Sequence, residues 1–306
     1  LYDKPAYFIK DVFVTTNTLD TVSVSIQTDG LVPIDSYQVK ILDSKGEIIA
    51  QQAVSINTQQ IQIPVKNIHA WTAESPTLYR CIVELGDDTF ATNFGFRTIR
   101  FDQNNLYIND QKVFLRGLNR HQCYPYIGYA AVDSLQEEDV RILKEELHVN
   151  AVRTSHYPQS QSFIDACDRY GLYVFTEIPG WQHIGDDTWK QQAIQNTKDM
   201  VLQYRNHPSI ILWGVRINES LDDDALYTKT NQVARDLDPS RPTAGVRYLT
   251  KSHLLEDIYT FNDFSHHGDN KGVLSKSEVM VDTHHPLIIS EANGHMFLTK
   301  SFDTQA

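Results

Sequence analysis

Seven short apolar segments recur from residue 113 onwards, and stretches with a helical pattern separate them. They span residues 113–118, 151–154, 172–175, 210–215, 244–248, 258–261 and 287–290. Strands that alternate with helices form parallel sheets. Near-continuous apolar strands suit a sheet that is covered on both faces. The pattern therefore predicts a parallel α/β domain.

The stretches between these segments have helical signals. Ser134 and Glu137 have the spacing of a capping box, and apolar Val140, Leu143 and Leu147 follow on one helical face. Further helices are predicted at residues 160–170, 187–205 and 222–237, with shorter ones at 252–256 and 275–281.

Polar side chains follow nearly every apolar segment, and they decide between two parallel folds. A dinucleotide-binding fold would need Gly-x-Gly-x-x-Gly after the first segment, and the sequence lacks it. The polar residues at the segment ends are Asn119, Arg120, His121, Arg153, Ser155, His156, Glu177, Asn218, Glu219, Arg247, Tyr248, Asn262, Asp263 and Glu291. Reactive groups at many strand ends are typical of a TIM (β/α)8 barrel. We predict this α/β barrel for residues 99–306.

The predicted barrel is one strand short. A (β/α)8 barrel has eight strands, whereas seven segments are found and the chain ends soon after Glu291. We therefore expect a barrel truncated before the eighth strand. The chain also starts at Leu1 without an initiator Met, so we expect it to be a processed or excised piece, with any signal peptide upstream.

The first 98 residues have a period of two. Val22, Val24 and Ile26 alternate with Ser and Thr, and turn signals such as Asp29-Gly30 separate the runs. Short strands at this spacing predict an antiparallel β-sandwich of immunoglobulin-like size. We expect residues 1–98 to form this Ig-like domain, with a structural role.

Composition excludes several classes of function. The formal net charge of −12 argues against a nucleic-acid partner, and no apolar run approaches the length of a membrane span. Cys81, Cys123 and Cys167 form no Cys-x-x-Cys pair, so neither a zinc cage nor a disulfide framework is indicated. The cysteine pattern fits a reducing compartment, so we predict a cytoplasmic protein and leave a homo-oligomer open; the charge does not exclude a neutral carbohydrate as partner.

Glu219 and Glu291 follow the fourth and seventh segments, whose ends face each other across a barrel mouth. Hydrolysis of a glycoside with retention needs two carboxyl groups about 5–5.5 Å apart, one to attack the sugar and one to protonate the leaving oxygen. An isolated Asn-Glu pair is a weak signal. Two glutamates at facing strand ends predict a catalytic pair, and they fit the requirements of this reaction.

Several stretches carry a family resemblance. They are residues 95–97 with 106–109, then 114–121, 151–158, 167–174, 213–220 and 289–291. In this order they resemble glycoside hydrolase family 2, and Asn119, Arg120 and His121 are similar to its β-galactosidases. The resemblance implies a retaining hydrolase that cleaves terminal β-galactosides by double displacement. It gives Glu219 the acid/base role and Glu291 the nucleophile role.

Other strand-end residues are expected to bind the substrate. They are Asn218, His121, His156, Glu177, Trp181, His183, Tyr248, Asn262, Asp263, Asn293 and His295. Asn218 is placed for the sugar 2-hydroxyl, and Trp181 and Tyr248 offer apolar faces. For Glu177 two roles stay open, a sugar contact or a buried partner of Arg153 or Arg116.

The sequence departs from the family at three places. Many family galactosidases hold Mg²⁺ just past the third strand, where Trp181 here replaces a carboxylate ligand beside His183. A hard cation prefers oxygen ligands, so we predict no metal, and no other cofactor. Ala292 follows Glu291 where an aromatic residue is usual, and Asp263 stands where many members have a tyrosine. These departures weaken the assignment to galactose.

Three alternatives stay open. The first is a β-glucuronidase or β-mannosidase of the same family. The second is a catalytically inactive carbohydrate-binding fragment, since the barrel is incomplete. The third is a metal-dependent hydrolase built from neighbouring acidic and histidine residues, namely Asp222, Asp223 and Asp224 with His266-His267 or His284-His285.

Overall fold

A computed structural model describes residues 5–30, 35–265 and 272–292. The N-terminal part consists of seven strands: β1 Tyr7–Thr18, β2 Thr21–Gly30, β3 Ser36–Leu42, β4 Ile48–Ser55, β5 Gln60–Pro64, β6 Tyr79–Leu85 and β7 Asp88–Phe94. They form two antiparallel sheets, β1-β2-β5 and β4-β3-β6-β7. The expected Ig-like sandwich is confirmed.

Period-two alternation builds the core of the sandwich. Val22, Val24 and Ile26 on one sheet and Val39 and Ile41 on the other are all buried in the same cluster. Because alternate side chains of a strand point to opposite faces, Ser23 and Ser25 on β2 and Lys40 on β3 lie on the other face of their sheets. The alternation in the sequence therefore fixes which face of each sheet is buried.

A small antiparallel sheet follows the sandwich and was not foreseen. Its strands are β8 Ile99–Phe101, β9 Leu106–Ile108 and β10 Gln111–Val113. Leu106 and Ile108 are buried with Tyr173, Ile211 and Ile258 at the beginnings of barrel strands. The small sheet therefore covers the end of the barrel opposite the strand ends that carry polar residues.

The C-terminal part is a parallel sheet of seven strands. They are β11 Gly117–Arg120, β12 Ala151–Thr154, β13 Tyr173–Glu177, β14 Ile210–Gly214, β15 Thr243–Arg247, β16 Ile258–Asp263 and β17 Leu287–Ala292. Each strand pairs with the next in chain order. The barrel fold is confirmed, with seven of the eight strands of a TIM barrel among the described residues.

Helices connect these strands as expected, with two corrections. They are α1 Asp133–Arg141, extended by a π-helical turn at Ile142–Glu146, then α2 Gln161–Tyr170, α3 Asp187–Tyr204, α4 Asp224–Leu237 and α5 Lys276–Val279. Helix α1 begins after Val132, so Ser134 lies inside it and the capping box predicted there is wrong. Ser275 and Glu278 form a capping box instead, at α5.

The short helix expected at 252–256 is also wrong. This segment is irregular because its backbone is tied to neighbouring side chains: the His253 carbonyl accepts from Arg247, and the His253 amide donates to Asp222. In the described part of the chain, no helix combines the length and the apolarity needed to cross a bilayer.

The loop at residues 205–208, here called the junction loop, lies between α3 and β14 of the barrel and contacts the sandwich. Asn206 accepts from the Val14 amide at 2.9 Å and donates to the Val12 carbonyl at 2.9 Å, so its side chain bonds along β1 as a neighbouring strand would. Arg205 pairs with Asp11 on the same strand. The junction loop leads directly into β14.

Arg97 reinforces this junction from the sandwich side. Its guanidinium is buried and donates to the carbonyl of Pro208, and to that of Ile210 at 2.7 Å. Trp71 adds a second connection, since its indole nitrogen donates to the Asp168 carbonyl at 2.9 Å. The start of β14 is therefore held by groups from both parts of the chain.

Candidate active site

Asn218 and Glu219 follow β14 at the mouth of the barrel. Asn218 is 1% exposed, and Glu219 adopts a left-handed backbone conformation with φ of 54°. Such a conformation is uncommon for residues other than glycine. The Glu219 amide donates to the Val246 carbonyl of β15 at 3.0 Å, which stabilises this turn.

Asn262 at the end of β16 contacts both glutamates that the sequence singled out. Its Nδ2 lies 2.9 Å from Glu219 Oε1 and 3.1 Å from Glu291 Oε2. Its Oδ1 accepts from the Ser290 hydroxyl at 2.9 Å, which agrees with the amide nitrogen facing the carboxylates. A register shift after Phe261 sets Asn262 opposite Glu291 on β17.

The shared amide limits the separation of the two carboxylates. Since one oxygen of each lies within 3.1 Å of the same nitrogen, those oxygens are at most twice that distance apart. Carboxyl groups of inverting glycosidases are about 6.5–9.5 Å apart, and those of retaining enzymes about 5–5.5 Å. The shared nitrogen therefore brings the two carboxylates into one site, and retention belongs to the function proposed below.

Arg153 at the end of β12 organises the floor of the site. Its guanidinium contacts both Glu177 oxygens, at 2.8 and 3.0 Å, and both side chains are nearly fully buried. It also donates to Asn218 Oδ1 at 2.7 Å and to Glu291 Oε2 at 3.3 Å. Of the two roles considered for Glu177, the structure places it as the buried partner of Arg153.

Arg153 donates to the carboxylates of Glu177 and Glu291 and to the side-chain oxygen of Asn218, whereas the side-chain nitrogen of Asn218 has no such bond. Asn218 Oδ1 accepts from Arg153, whereas Asn218 Nδ2 is buried without a hydrogen-bond partner among the described residues. Buried polar groups normally have partners. The amide nitrogen is therefore a buried donor whose hydrogen-bonding capacity is unused among the described residues.

Two histidines line the β11–β12 side of the mouth. The rings of His121 and His156 meet edge to face at 5.2 Å, and His156 Nδ1 lies 3.0 Å from Glu177 Oε1. Burial, together with the neighbouring His156 and the positive charge of Arg153, lowers the pKa of His121 below its ordinary value. The lowered pKa favours the neutral ring, which can both donate and accept a hydrogen bond.

The loop after β13 closes the site on another side. Trp181 forms a parallel bridge with Asn218, and the Gln182 amide donates to the Asn218 carbonyl at 2.8 Å. The side chain of Gln182 donates to Glu219 Oε2 at 3.0 Å. Each Glu219 oxygen thus accepts one hydrogen bond from a side-chain amide: Oε2 from Gln182 and Oε1 from Asn262.

The remaining expected residues differ in what they contact. The His183 ring packs edge to face on Trp189 of α3, at 5.8 Å between centroids. Asp263 is buried and accepts from the backbone amides of Ser265 and Leu274, so it organises the loop after β16. Tyr248 is exposed at the end of β15. Asn293 and His295 lie outside the described residues.

Two residues that bind the carboxylates were absent from the expected site. Arg153 had been noted only as a strand-end residue and a partner for Glu177, although an arginine at a barrel strand end is itself a signal for an anionic neighbour. Gln182 lies on a loop, and no sequence pattern connects it with Glu219. Only the folded chain brings these two together.

The residues past β13 do not fit a magnesium ion. Trp181 offers no oxygen, and the His183 ring lies against Trp189. Magnesium is bound mainly through carboxylates, water and substrate oxygens. The absence of a metal at this position stays a prediction.

The acidic run proposed for a metal-dependent hydrolase has structural partners instead. Asp222 pairs with Arg216 at 2.6 Å, and Asp223 caps α4 by accepting from the Leu226 amide at 3.0 Å. Asp224 lies 3.0 Å from His253 Nδ1. His266 and His267 lie outside the described residues. Asp222 also accepts from the His253 amide, so Asp222 and Asp224 bond to different atoms of one histidine, and among the described residues the three aspartates do not converge on one metal position.

Comparison with known proteins identifies the family of this chain. Residues 99–301 match the family described as "Glycosyl hydrolases family 2, TIM barrel domain", and residues 7–97 match "Glycosyl hydrolases family 2". The chain belongs to glycosyl hydrolase family 2. The family resemblance recognised in the strand-end motifs is therefore confirmed.

Two curated relatives are β-galactosidases. The chain is 47% identical to that of Thermoanaerobacterium thermosulfurigenes, over 88% of this chain and 39% of the relative. It is 43% identical to that of Thermoanaerobacter pseudethanolicus, over 96% of this chain and 41% of the relative. The chain thus spans about two fifths of the length of these family 2 relatives.

A solved structure of a protein named as a β-glucuronidase has the same fold. The apo structure of Bacteroides uniformis β-glucuronidase 3 superposes with a TM-score of 0.74 and 28% identity, covering 86% of this chain and 36% of that one. The fold is therefore shared with a protein named for a different sugar, and the sugar has to be argued from the site.

Proposed function

We propose that this chain is the Ig-like and barrel part of a retaining β-galactosidase, with Glu219 as acid/base and Glu291 as nucleophile. The observation that carries the proposal is the single Asn262 amide nitrogen, which contacts an oxygen of each carboxylate. The division of the chain at residues 98 and 99, the carbohydrate substrate and a cytoplasmic location belong to the same proposal.

The proposed reaction has two steps. Glu291 attacks the anomeric carbon while Glu219 gives its proton to the leaving oxygen, which leaves a glycosyl ester on Glu291. Glu219 then takes a proton from water, and this water releases the sugar and frees the Glu291 carboxylate. Arg153 and Asn262 both donate to Glu291 Oε2, so they hold the nucleophile in place between turnovers.

Asn218 is proposed to bind the sugar directly. Its oxygen is occupied by Arg153, while its buried nitrogen lacks a partner among the described residues. A hydroxyl oxygen next to the anomeric carbon would satisfy this nitrogen. Hydrogen bonds to the 2-hydroxyl strengthen in the transition state of glycoside hydrolysis. His121 and His156 are proposed to contact further hydroxyls.

Galactose is favoured over glucuronic acid on two grounds. The relatives at 47% and 43% identity are named β-galactosidases. A glucuronidase also needs a cation for the sugar carboxylate, and Arg153 is already engaged by Glu177 and Glu291. β-Glucuronidase is kept as the second candidate because a structural relative bears that name.

Hydrolysis of nitrophenyl β-galactoside beside the matching glucuronide by the protein that contains this chain tests the choice of sugar. We expect turnover of the galactoside; turnover of the glucuronide alone would favour the second candidate. An inactive carbohydrate-binding protein would bind galactose without cleaving either.

Glu219→Gln tests the acid/base role. Without proton donation, kcat for a poor phenyl leaving group should fall about 10²–10⁴-fold, and far less for dinitrophenolate, which leaves without assistance. Glu137→Gln, which neutralises an exposed glutamate of α1 paired with Arg169, is the matched control. An equal loss on both substrates would remove Glu219 from the acid/base role.

A further inference from the structure

We propose that Arg216 is a positioning residue for the acid/base, because its side chain holds the turn on which Glu219 lies. The inference deepens the proposed function and rests on it, since it takes Glu219 as the proton donor. The described hydrogen bonds of the Arg216 guanidinium go to Ser220 and Asp222, just after Glu219 in the chain. Arg216 therefore acts through the backbone of the turn and not by contact with the substrate.

The segment that follows β14 leaves the regular ladder before it reaches Glu219. The Val215 amide donates to the Ala244 carbonyl of β15 at 2.9 Å. The Glu219 amide donates to the Val246 carbonyl of the same strand at 3.0 Å. The two donors are four residues apart in the chain, whereas the two acceptors are two residues apart. Since the bonds of a parallel ladder are evenly spaced, the residues between the donors bulge out of the sheet.

This bulge ends in a strained backbone. Glu219 has a φ of 54°, in the left-handed region that residues other than glycine seldom adopt. Such a conformation persists where the surrounding structure enforces it. The hydrogen bond of the Glu219 amide to β15 fixes one side of the turn, and the other side needs a partner of its own.

The side chain of Arg216 supplies that partner. It is 1% exposed, and its Nη2 donates to the Ser220 carbonyl at 3.2 Å and to Asp222 Oδ1 at 2.6 Å. Its guanidinium carbon lies 4.7 Å from the centre of the Tyr227 ring on α4, and the Tyr227 hydroxyl lies 2.6 Å from the Ser220 hydroxyl. Because Arg216 precedes Glu219 while its two acceptors follow it, the guanidinium closes the turn across Glu219.

Gly245 on β15 leaves the space that Arg216 occupies. A Cβ at Gly245 would lie 2.6 Å from the Arg216 Cβ, which is shorter than real contacts of such atoms. The Arg216 Cβ is bonded directly to the backbone of the bulge, so a side chain at Gly245 would displace the bulge itself. This close approach is independent of the hydrogen bonds, and it places Arg216 against the neighbouring strand.

Two arginines thus hold neighbouring residues of this segment in different ways. Arg153 donates to the side chain of Asn218 at the mouth, whereas Arg216 lies against Tyr227 of α4 and bonds behind Glu219. Proton transfer requires the acid within hydrogen-bond reach of the leaving oxygen. A displaced turn should therefore impair the donation of the proton more than the binding of the sugar.

Arg216→Gln in the protein that contains this chain tests the inference with two substrates. Phenyl β-galactoside needs a proton on its leaving oxygen, whereas dinitrophenolate leaves its galactoside without assistance. We expect kcat/KM for the phenyl substrate to fall about 10–100-fold, the scale of a misplaced catalytic group. The value for the dinitrophenyl substrate should stay within about threefold, since it does not depend on the acid. Arg216→Lys should recover part of the loss, because it keeps a cationic donor to the turn.

The matched control is Arg205→Gln on the junction loop. Arg205 has the same three kinds of contact as Arg216, namely the carboxylate of Asp11, the carbonyl of Leu237 and the ring of Phe13. The control should lower the melting temperature, as the loss of a buried arginine does, but it should show no preference between the two substrates.

Equal losses of Arg216→Gln on both substrates, or no loss on either, would overturn the inference. The proposed function would still stand if Glu219→Gln kept its selective loss on the phenyl substrate. If thermal melting shows that Arg216→Gln does not fold, Asp222→Ala decides by the same criterion, since it removes the carboxylate that orients Arg216 from a position with 28% side-chain exposure. A wild-type protein that cleaves neither galactoside would overturn the proposed function together with the inference.

Discussion

The side-chain nitrogen of Asn262 donates to both Glu219 and Glu291. In glycoside hydrolysis, the separation of two such carboxyl groups decides between retention and inversion. The side-chain oxygen of Asn262 accepts from Ser290, so the amide is held at both ends. A charge-assisted hydrogen bond to a carboxylate is stronger than one between neutral groups. Asn262 therefore links the Glu219 and Glu291 side chains, and in the proposed mechanism it acts as a positioning residue.

Asn262→Ala should reduce kcat for a galactoside about 100-fold, the scale seen when one preorganised donor is removed from an active site. Steady-state hydrolysis measures the loss, and thermal melting checks the fold. Ser290→Ala breaks the same Ser290–Asn262 contact but leaves the donor to the carboxylates, so its effect should be much smaller. Equal losses in the two variants would mean that Asn262 acts only by supporting β16.

At the scale of elements, the junction loop and β14 form one unit. The residues of β14 are all buried, and the loop before it bonds to β1 through Asn206. Strand β14 ends four residues before Asn218. The sandwich thereby contributes to the position of the strand that leads into the site, although no sandwich residue lies near the carboxylates among the contacts described.

Asn206→Ala tests this connection. The substitution removes two hydrogen bonds and leaves the Val14 amide and Val12 carbonyl without their partner, so the free energy of unfolding should fall by about 1–3 kcal/mol. Urea unfolding measures the change. Asn93→Ala on β7, at an exposed position, is the matched control and should change stability far less. If Asn93→Ala lowered the free energy of unfolding as much as Asn206→Ala, a role of Asn206 in connecting the junction loop to β1 would be contradicted.

The elements also show what a sequence can and cannot predict here. Six barrel strands coincide with predicted apolar runs because a sheet covered on both faces needs them, as in Ile210–Gly214. The first strand, predicted at 113–118, lies instead at Gly117–Arg120 and is partly exposed, so burial imposes no apolar run there. The prediction of a capping box at Ser134 was wrong because the pattern Ser-x-x-Glu also occurs inside helices. The small sheet at residues 99–113 was missed because its strands have three residues each, which is too short for a periodic pattern. The contact of Gln182 with Glu219 depends on long-range packing, which local patterns do not encode.

At the scale of the whole molecule, one buried ion pair lies where the two parts meet. His207 Nδ1 is 2.5 Å from Asp168 Oδ2, and Asp168 also accepts from the Ser209 amide and, through its carbonyl, from the Trp71 indole. Burial lowers the pKa of His207, but the charge and hydrogen bond of Asp168, with the charge of Asp165, outweigh it. The pKa of His207 is therefore raised.

This shift predicts how stability depends on pH. A histidine whose pKa is raised by folding stabilises the protein fully below its unfolded pKa of about 6.5, and the contribution is lost as pH rises through the folded pKa. His207→Asn should therefore lower the free energy of unfolding most at acidic pH, and the deficit should shrink as pH rises. Urea unfolding between about pH 5.5 and 9 measures this window.

The control for this prediction is His148→Asn, at an exposed position whose φ of 52° asparagine also tolerates. It replaces a histidine away from the buried pair. A deficit for His207→Asn that stays constant with pH, or grows towards alkaline pH, would mean that the charge of His207 does not stabilise the junction.

Arg97 gives the junction a consequence for how such chains are inherited. The residue precedes the proposed division at 98 and 99, yet its guanidinium satisfies the carbonyls of Pro208 and Ile210 on the other side. A crossover between two genes at that division would join an arginine from one parent to a junction loop from the other. Because these acceptors are backbone carbonyls, a recombinant should keep the pairing whenever the parent that supplies residue 97 has the arginine and the other parent supplies a junction loop with the same backbone path.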